Sequence, residues 1–136
     1  MNHFQGLIAA SLTPFKKNGS INPQVIADYA AYLKQNNVDG VFVNGTTGES
    51  FSLTFEERQI LAAAWCRQQA ADFKVIIHVG ATSHPESTQL ATHAQNCGAN
   101  AIAEMGPIFF KPANIKELVS YCSQTSAAAP ELPYGS

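Results

Sequence analysis

Short apolar runs recur along this chain at intervals of about thirty residues, the usual length of a βαβ unit. They begin near Leu7, Gly40, Val75 and Ala101, and each is followed by a stretch with helical periodicity. The third run, residues 75–79, is apolar except for one histidine. A continuous apolar run of this length is typical of a parallel strand that is covered on both faces. The spacing therefore predicts an α/β fold with a parallel sheet.

Four strands are predicted from these runs: Leu7–Leu12, Gly40–Val43, Val75–Val79 and Ala101–Met105. Residues 132–134 resemble the approach to a fifth strand. A complete (β/α)₈ barrel usually needs about 250 residues, so four units within 136 residues correspond to half of one. The alternative is a small open parallel sheet that is complete as it stands. Periodicity alone does not separate the two.

Sequence signals at the helix ends support the same division. The first helix is expected to begin where Asn22 can cap it and Pro23 fits the first turn. Thr54–Glu57 and Ser83–Glu86 both have the spacing of a capping box. Asn114 opens the last helix, and Gly98 ends the one before it, as glycine does in a left-handed cap. Helices are therefore predicted between all the strands and after the fourth.

Composition limits the possible partners and locations. With 46% apolar and 13% charged residues, residues 1–136 are expected to form one globular domain. The net charge of −2 and the pI of about 6.0 provide no basic field, so neither nucleic acid nor membrane is an expected partner. The three cysteines include no Cys-x-x-Cys pair, and no targeting or spanning segment is visible. A cytoplasmic protein is predicted.

A glycine-rich turn, Gly45-Thr46-Thr47-Gly48-Glu49, follows the second predicted strand. Glycines let the backbone approach a ligand closely, and successive N–H groups in such turns bind small anions. Enzymes with α/β folds place their sites at the carboxyl ends of parallel strands. Thr46 and Thr47 are therefore candidate binding residues for a carboxylate or a phosphate. The alternative is a turn whose hydroxyls only stabilise the backbone.

No residue receives a catalytic or metal-binding role from the sequence. A Schiff base needs a lysine whose amine can be neutral, and only Lys111 follows a predicted strand on the side that carries the turn. Lys111 is interpreted as a solvated loop residue. His78 is interpreted as an interior residue of a buried strand. His84 and His93 do not have a metal-binding spacing.

The chain resembles the N-acetylneuraminate lyase family, in the superfamily that includes dihydrodipicolinate synthase. The segment Gly45–Glu49 is specific for the superfamily, whereas the flanking segments favour the lyase branch. A dihydrodipicolinate synthase-like aldolase is the alternative. The matching segments extend over nearly the whole chain: residues 6–10, 13–15, 43–49, 76–80, 109–112 and 127–133.

The resemblance implies a (β/α)₈ TIM barrel that assembles as a homotetramer. It implies a class I aldolase, with no metal or other cofactor, that cleaves N-acetylneuraminate reversibly to N-acetylmannosamine and pyruvate through a Schiff base. It assigns Thr46 and Thr47 to the carboxylate of the pyruvate moiety, through backbone amides and a hydroxyl. It also places Thr46 in a hydroxyl relay that moves protons.

The chain departs from the family pattern at its end. The catalytic tyrosine of the family lies on strand five and its Schiff-base lysine on strand six, and the sequence stops before either segment. Tyr134 is followed by Gly135-Ser136, so no catalytic role is carried over to it, and Lys111 matches a family lysine that is not the Schiff-base residue. We expect the first four βα units of the barrel, truncated at the start of the fifth strand and inactive alone.

Two other hypotheses remain open at this point. The chain could be a non-catalytic protein that binds carboxylates, or that associates with itself or with full-length subunits. It could also be a self-contained α/β domain that binds phosphate at residues 45–48.

Overall fold

The computed structural model describes residues 4–136, so the first three residues of the predicted domain lie outside it. Five parallel strands form one sheet in the order of the sequence. The predicted α/β class with a parallel sheet is confirmed. The strands are β1 at Ile8–Ala10, β2 at Gly40–Val43, β3 at Lys74–His78, β4 at Ala101–Ala103 and β5 at Tyr134–Gly135.

Four α-helices connect the strands, and each lies between two consecutive strands of the sheet. They are α1 at Ile26–Gln35, α2 at Phe55–Cys66, α3 at His84–Asn96 and α4 at Ile115–Ala127. Short 3₁₀ turns, Pro23–Val25 and Ser50–Ser52, precede α1 and α2. Within residues 4–136, no helix combines the length and the apolar character needed to cross a bilayer.

The core lies between the helices and one face of the sheet. Because successive side chains of a strand point to opposite faces, only alternate residues of β2 and β3 enter it: Val41, Val43, Val75 and Ile77. The helices supply the opposing layer, which includes Ile26, Ala30, Leu61, Trp65 and Leu90. The other face of the sheet carries Phe42, Ile76 and His78.

Two of the expected N-terminal caps and the expected C-terminal cap are present. The Oγ1 atom of Thr54 accepts a hydrogen bond of 3.1 Å from the amide of Glu57, whose carboxylate accepts one of 2.9 Å from the amide of Thr54. The Oδ1 atom of Asn114 accepts one of 3.1 Å from the amide of Glu117. Gly98 has a φ of 78°, as expected for a left-handed cap. These predictions are confirmed.

Two other caps were predicted wrongly. Ser83 stands at the start of α3, but its side chain makes no capping bond. The hydroxyl of Ser87, one turn into the helix, accepts a hydrogen bond of 2.9 Å from the amide of Ala81. This bond connects the helix to the loop that precedes it. Asn22 stands immediately before the 3₁₀ turn that leads into α1, and its side chain makes no capping bond either.

The strand bounds differ from the prediction where pairing, rather than apolarity, sets them. β2 begins and ends as predicted. β3 starts one residue early, because Lys74 pairs with Gly40, and it ends at His78. β1 and β4 are shorter than their apolar runs, with three residues each. Each of these strands ends where its residues stop pairing with a neighbouring strand.

Candidate functional site

The turn after β2 holds its own backbone in a shape that leaves two amides available. Asn44 and Glu49 adopt left-handed conformations with φ of 58° and 57°. The amide of Glu49 donates to the carbonyl of Thr46 at 3.0 Å, and the amide of Ser50 donates to the carbonyl of Gly45 at 3.3 Å. Within residues 4–136, the amides of Thr46 and Thr47 have no such acceptor. Two successive N–H groups can therefore serve a ligand.

The glycines of the turn are required by close approach to neighbouring groups. A Cβ atom on Gly48 would lie 3.2 Å from the carbonyl oxygen of Ser11, and one on Gly45 would lie 2.5 Å from the ring of Phe42. The hydroxyl of Thr13 donates a hydrogen bond of 2.6 Å to the carbonyl of Gly48. The turn is thus fixed to the segment that follows β1.

An open cavity of about 460 Å³ lies at the carboxyl ends of β2 to β5. Thr46 belongs to its wall, whereas Thr47 is exposed on the same turn outside the wall. The structure therefore brings one of the two predicted residues into the cavity and places the other beside it. The wall is formed by Phe42, Gly45, Thr46, His78, Ala103, Glu104, Met105, Gly135 and Ser136.

A buried polar network, which includes the wall residue His78, joins the ends of β2 and β3. The side-chain amide of Asn44 donates a hydrogen bond of 3.0 Å to the carbonyl of Arg58 in α2. The Arg58 guanidinium donates to the carbonyls of His78 and Gly80, both at 2.9 Å. Its Nη2 also lies 3.4 Å from Nδ1 of His78. Arg58 is 4% exposed and His78 is 3% exposed.

Burial lowers the pKa of both ionisable members of this network, Arg58 and His78, but only His78 becomes neutral at neutral pH. Desolvation lowers the pKa of Arg58 to about 10, against the opposing effect of Glu86, so the guanidinium stays charged at neutral pH. Desolvation and the adjacent guanidinium lower the pKa of His78 to about 4, against the opposing effect of the Asn44 carbonyl. A buried positive charge behind the cavity favours an anionic ligand.

Glu104, a wall residue that follows β4, binds side chains of α4 and β5 through its carboxylate. The hydroxyl of Tyr134 donates a hydrogen bond of 2.7 Å to Oε1, and the hydroxyl of Thr125 donates one of 3.2 Å to Oε2. Burial raises the pKa of the Glu104 carboxyl, and both hydrogen bonds oppose that rise. Burial and the contacts with Glu104 and Cys122 raise the pKa of Tyr134. Tyr134 therefore acts as a structural donor here.

The described part of the chain brings no primary amine into the cavity. No lysine between residues 4 and 136 belongs to the wall, and Lys111 is exposed in the loop after β4. Within the same range, no group of three or more His, Cys, Asp and Glu side chains could hold a metal ion. The residues of the cavity can bind an anion through amides and hydroxyls, but they offer no nitrogen nucleophile for imine formation.

Arg58 was missed in the sequence, although a signal for it exists. It lies three, four and seven residues before Leu61, Ala62 and Trp65, which are all buried on one face of α2. This is the spacing of the apolar stripe of a helix, so a charged residue in that register must be buried with partners. The glutamate after β4, Glu104, carries no comparable signal.

Comparison with known sequences decides the family. The Dihydrodipicolinate synthetase family matches residues 3–134. The chain belongs to this family. Within it, the chain is 48% identical over 132 residues to an N-acetylneuraminate lyase from Rattus norvegicus. The alignment covers 96% of the chain and 41% of that relative, so the chain spans about two fifths of its length.

Solved structures of the dihydrodipicolinate synthetase family share the fold. The N-acetylneuraminate lyase of Proteus mirabilis has a TM-score of 0.93 and 41% identity, covering 98% of this chain and 45% of that one. A prophage protein of the dihydrodipicolinic acid synthase family from E. coli K12, solved in complex with pyruvate, has a TM-score of 0.88 and 30% identity, covering 96% and 43%. The predicted resemblance to the lyases is confirmed.

Proposed function

We propose that this chain supplies the carboxylate-binding part of an N-acetylneuraminate lyase site, in which Thr46 and Thr47 hold the carboxylate of the pyruvate moiety. The turn after β2 carries the proposal, because two successive amides without internal acceptors stand beside the cavity. The buried charge of Arg58 supports an anionic ligand. The identities of 48% and 41% to lyases, against 30% to the pyruvate-binding prophage protein, favour the lyase branch over a dihydrodipicolinate synthase-like aldolase.

The fold proposed for residues 1–136 is a partial (β/α)₈ barrel, with four strand–helix units followed by the start of the fifth strand. Its helix-free sheet face, which carries Phe42, Ile76 and His78, would line the interior of the complete barrel. In such barrels the site forms at the carboxyl ends of the strands, from loops of several units. The cavity beside Thr46 lies at that end of the sheet.

A titration of the ¹⁵N-labelled chain with pyruvate tests the carboxylate site. We expect the amide resonances of Thr46 and Thr47 to shift with pyruvate, because a carboxylate accepts hydrogen bonds from both N–H groups. Pyruvamide, which has the 2-oxo group but no carboxylate, is the matched ligand control and should leave them in place. Equal shifts with both ligands, or none with pyruvate, would disprove the proposal.

A pair of substitutions separates the hydroxyl of Thr46 from general effects on the fold. Thr46→Val is close to isosteric, and removing the hydroxyl should weaken pyruvate binding by about 2- to 10-fold, the value of one ordinary hydrogen bond. Thr82→Val makes the same change at an exposed residue after β3, outside the cavity wall, and should leave the affinity unchanged. Equal affinities for both variants would remove the hydroxyl from the proposed site.

The chain by itself is proposed to bind pyruvate without forming a Schiff base, because no described lysine lines the cavity. Treatment with pyruvate and borohydride should therefore leave the mass of the purified chain unchanged. A complete lyase from a relative serves as the positive control in the same reaction. A reduced pyruvyl adduct on Lys111 would overturn this part of the proposal.

An association role is the second candidate, and an exposed apolar patch favours it. The loop after β4 and the start of α4 carry side chains that are 49–83% exposed: Ile108, Phe109, Phe110, Ile115 and Val119. Contiguous exposed apolar side chains mark interaction surfaces. The proposed partner is another subunit, either a second copy of the chain or a full-length lyase.

Light scattering and co-expression test the association role. We expect the wild-type chain to form oligomers or to enter mixed oligomers with a full-length lyase, and Phe109→Ser with Phe110→Ser to reduce both. Phe51→Ser, at an exposed phenylalanine on a different part of the surface, is the matched control. A strictly monomeric chain that forms no mixed oligomer would exclude this role.

A further inference from the structure

The helices pack on one face of the sheet and leave the other face open. The core joins them to the face that carries Val41, Val75 and Ile77. Within residues 4–136, no helix belongs to the opposite face, where Phe42 and Ile76 stay partly accessible. All-parallel sheets occur almost only with both faces covered. This sheet therefore needs a second layer.

The open face is apolar over most of its area. A Cβ atom on Gly40 would lie 2.8 Å from Cδ1 of Ile8, so the side chain of Ile8 lies on this face beside β2. Among the described strands, Lys74 is the one charged residue that points to the face. It lies at the amino end of β3, where a long side chain can keep its ammonium in water. The other strand side chains of the face include Ile8, Ala10, Phe42, Ile76, Ala103 and the buried His78.

The sheet also has two free edges within residues 4–136. In the strand order, β1 pairs only with β2, and β5 pairs only with β4. The amide of Ser11 donates a hydrogen bond of 3.1 Å to the carbonyl of Phe42 on β2. Because a parallel strand serves one neighbour with alternate residues, the amides of Ile8 and Ala10 point to the free edge of β1. An unpaired edge is a template for another chain.

Apolar groups that contact water lie beside both edges. Leu7 and Leu12, which flank β1, are 60% and 61% exposed. At the other edge, a groove of about 600 Å³ lies between α4 and β5, and its lining includes Leu118, Val119 and Tyr134. A helix beside α4 would fill this groove. The two edges therefore carry surfaces of the same chemistry and opposite place in the strand order.

We propose that a second copy of this chain covers the open face, with the β1 edge of each copy beside the β5 edge of the other. A twofold axis parallel to the strands produces this arrangement and keeps every strand parallel. One operation then covers the open face, pairs both edges and closes the assembly, as symmetric dimers do. A second copy is the partner that fits, because each copy supplies the edge that the other lacks.

The inference rests on the partial barrel of the proposed function, whose helix-free face would line a barrel interior. It uses a surface other than the exposed patch after β4. Two copies bring together ten strands, and a barrel of more than eight strands has a wider interior. The carboxyl ends of all strands lie at one end of the dimer, so the cavities beside Thr46 of both copies open into one interior.

Sedimentation combined with amide hydrogen exchange provides the direct test. We expect a species of twice the 14.6 kDa of one chain. The amides of Ile8 and Ala10 should exchange slowly in this dimer and rapidly after dilution to the monomer. The amide of Ser11, which bonds within the chain, is the internal control and should stay slow in both. A monomeric chain, or a dimer in which Ile8 and Ala10 exchange freely, would overturn the inference.

Contacts between differently labelled copies test the pairing of the edges. In a mixture of ¹⁵N-labelled and ¹³C-labelled chains, filtered nuclear Overhauser effects should join β1 of one copy to Tyr134 or Gly135 of the other. A dimer without such contacts would show that its copies meet through another surface.

A charge placed at the edge of the open face measures its contribution. Ala10 is exposed in the single chain, so Ala10→Lys can be solvated there but would be buried in the dimer. This change should raise the dimer dissociation constant by about 100-fold or more, because each dimer would bury two unpaired ammonium groups. Ala71→Lys makes the same change at an exposed alanine between α2 and β3 and should dimerise like wild type. Equal dissociation constants for the two variants would contradict the inference, and hydrogen exchange of the wild-type chain decides it if Ala10→Lys fails to fold.

The outcomes separate this inference from the proposed function. If a monomeric chain still shifts its Thr46 and Thr47 amides with pyruvate, the carboxylate site stands and the dimer is wrong. If oligomers depend on Phe109 and Phe110 while the free edge of β1 stays unprotected, the association role stands and the dimer is again wrong. Protection of that edge only in a mixture with a full-length lyase would assign the open face to that subunit and overturn the second copy as its partner.

Discussion

Acid should destabilise this chain through one imidazole, and the size of the effect follows from the burial of His78. Its pKa falls from the ordinary 6.5 to about 4 in the folded chain, because burial and Arg58 both disfavour the charged ring. Between these two pH values, the unfolded chain binds a proton at this site and the folded chain does not. The free energy of unfolding therefore falls as the pH drops through this range and is fully retained above about pH 6.5.

The magnitude can be worked from the same pKa values. Each pKa unit corresponds to about 1.4 kcal/mol, so a fall from 6.5 to about 4 corresponds to at most about 3 kcal/mol of unfolding free energy. A domain of this size is usually stable by about 5–15 kcal/mol. Proton uptake at this one position in the unfolded chain would thus remove a large share of that stability.

The assay is urea unfolding at a series of pH values from 7 to 4. The single tryptophan, Trp65, is 1% exposed in the core and reports the transition by fluorescence. His78→Gln cannot titrate at this position, while contributions from the rest of the chain are common to both proteins and cancel in the difference. His93→Gln, at a half-buried position on α3, is the matched control and should change the pH dependence less.

The comparison has one decisive outcome. Wild type should lose up to about 3 kcal/mol more stability than His78→Gln between pH 7 and pH 4. If the two proteins lose stability in parallel over that range, the His78 imidazole is not held neutral by the fold. The electrostatic account of the Arg58 contact would then be wrong as well.

Three further substitutions test the parts that support the site. Gly48→Ala places a Cβ atom 3.2 Å from the carbonyl oxygen of Ser11, so we expect a loss of about 1–3 kcal/mol in unfolding free energy and weaker pyruvate binding; an unaltered midpoint in urea would count against the tight packing of the turn. Thr54→Ala removes the cap of α2 and should cost about 0.5–2 kcal/mol, with no loss on thermal unfolding arguing against the capping box. Tyr134→Phe removes the hydrogen bond to Glu104 and should cost about 1–3 kcal/mol without changing the pyruvate-induced amide shifts; altered shifts would give Tyr134 a role in the site.

Local signals predicted the fold well because they act over a few residues. The capping pair at Thr54 and the left-handed cap at Gly98 depend only on chemistry within one turn of helix. The strand β2 was bounded correctly by its apolar run. The Ser83–Glu86 box has the right spacing, yet Ser83 makes no side-chain capping bond. Sequence spacing alone does not fix the side-chain rotamers that such a box needs.

Only the part of the candidate site that is local in the sequence could be predicted from it. The turn at Thr46 and Thr47 can be proposed from the sequence alone, since its glycines and hydroxyls are contiguous. The partnership of Arg58 with His78 joins residues that are twenty positions apart, and it exists only because α2 packs beside β3.

Strand register explains why the tyrosine nearest the cavity takes no part in it. Tyr134 pairs with Ile102, whose side chain is buried toward the helices, whereas Gly135 pairs with Ala103, and both of these line the cavity. Because side chains alternate between faces, a shift of one position would exchange these roles. The described strand ends therefore contribute amides, a hydroxyl and a neutral imidazole to the cavity, but neither a phenol nor an amine. If the proposed carboxylate site is correct, binding a 2-oxo acid and forming an imine with it should be separable in this fold, since the described cavity wall has amides and a hydroxyl but no lysine.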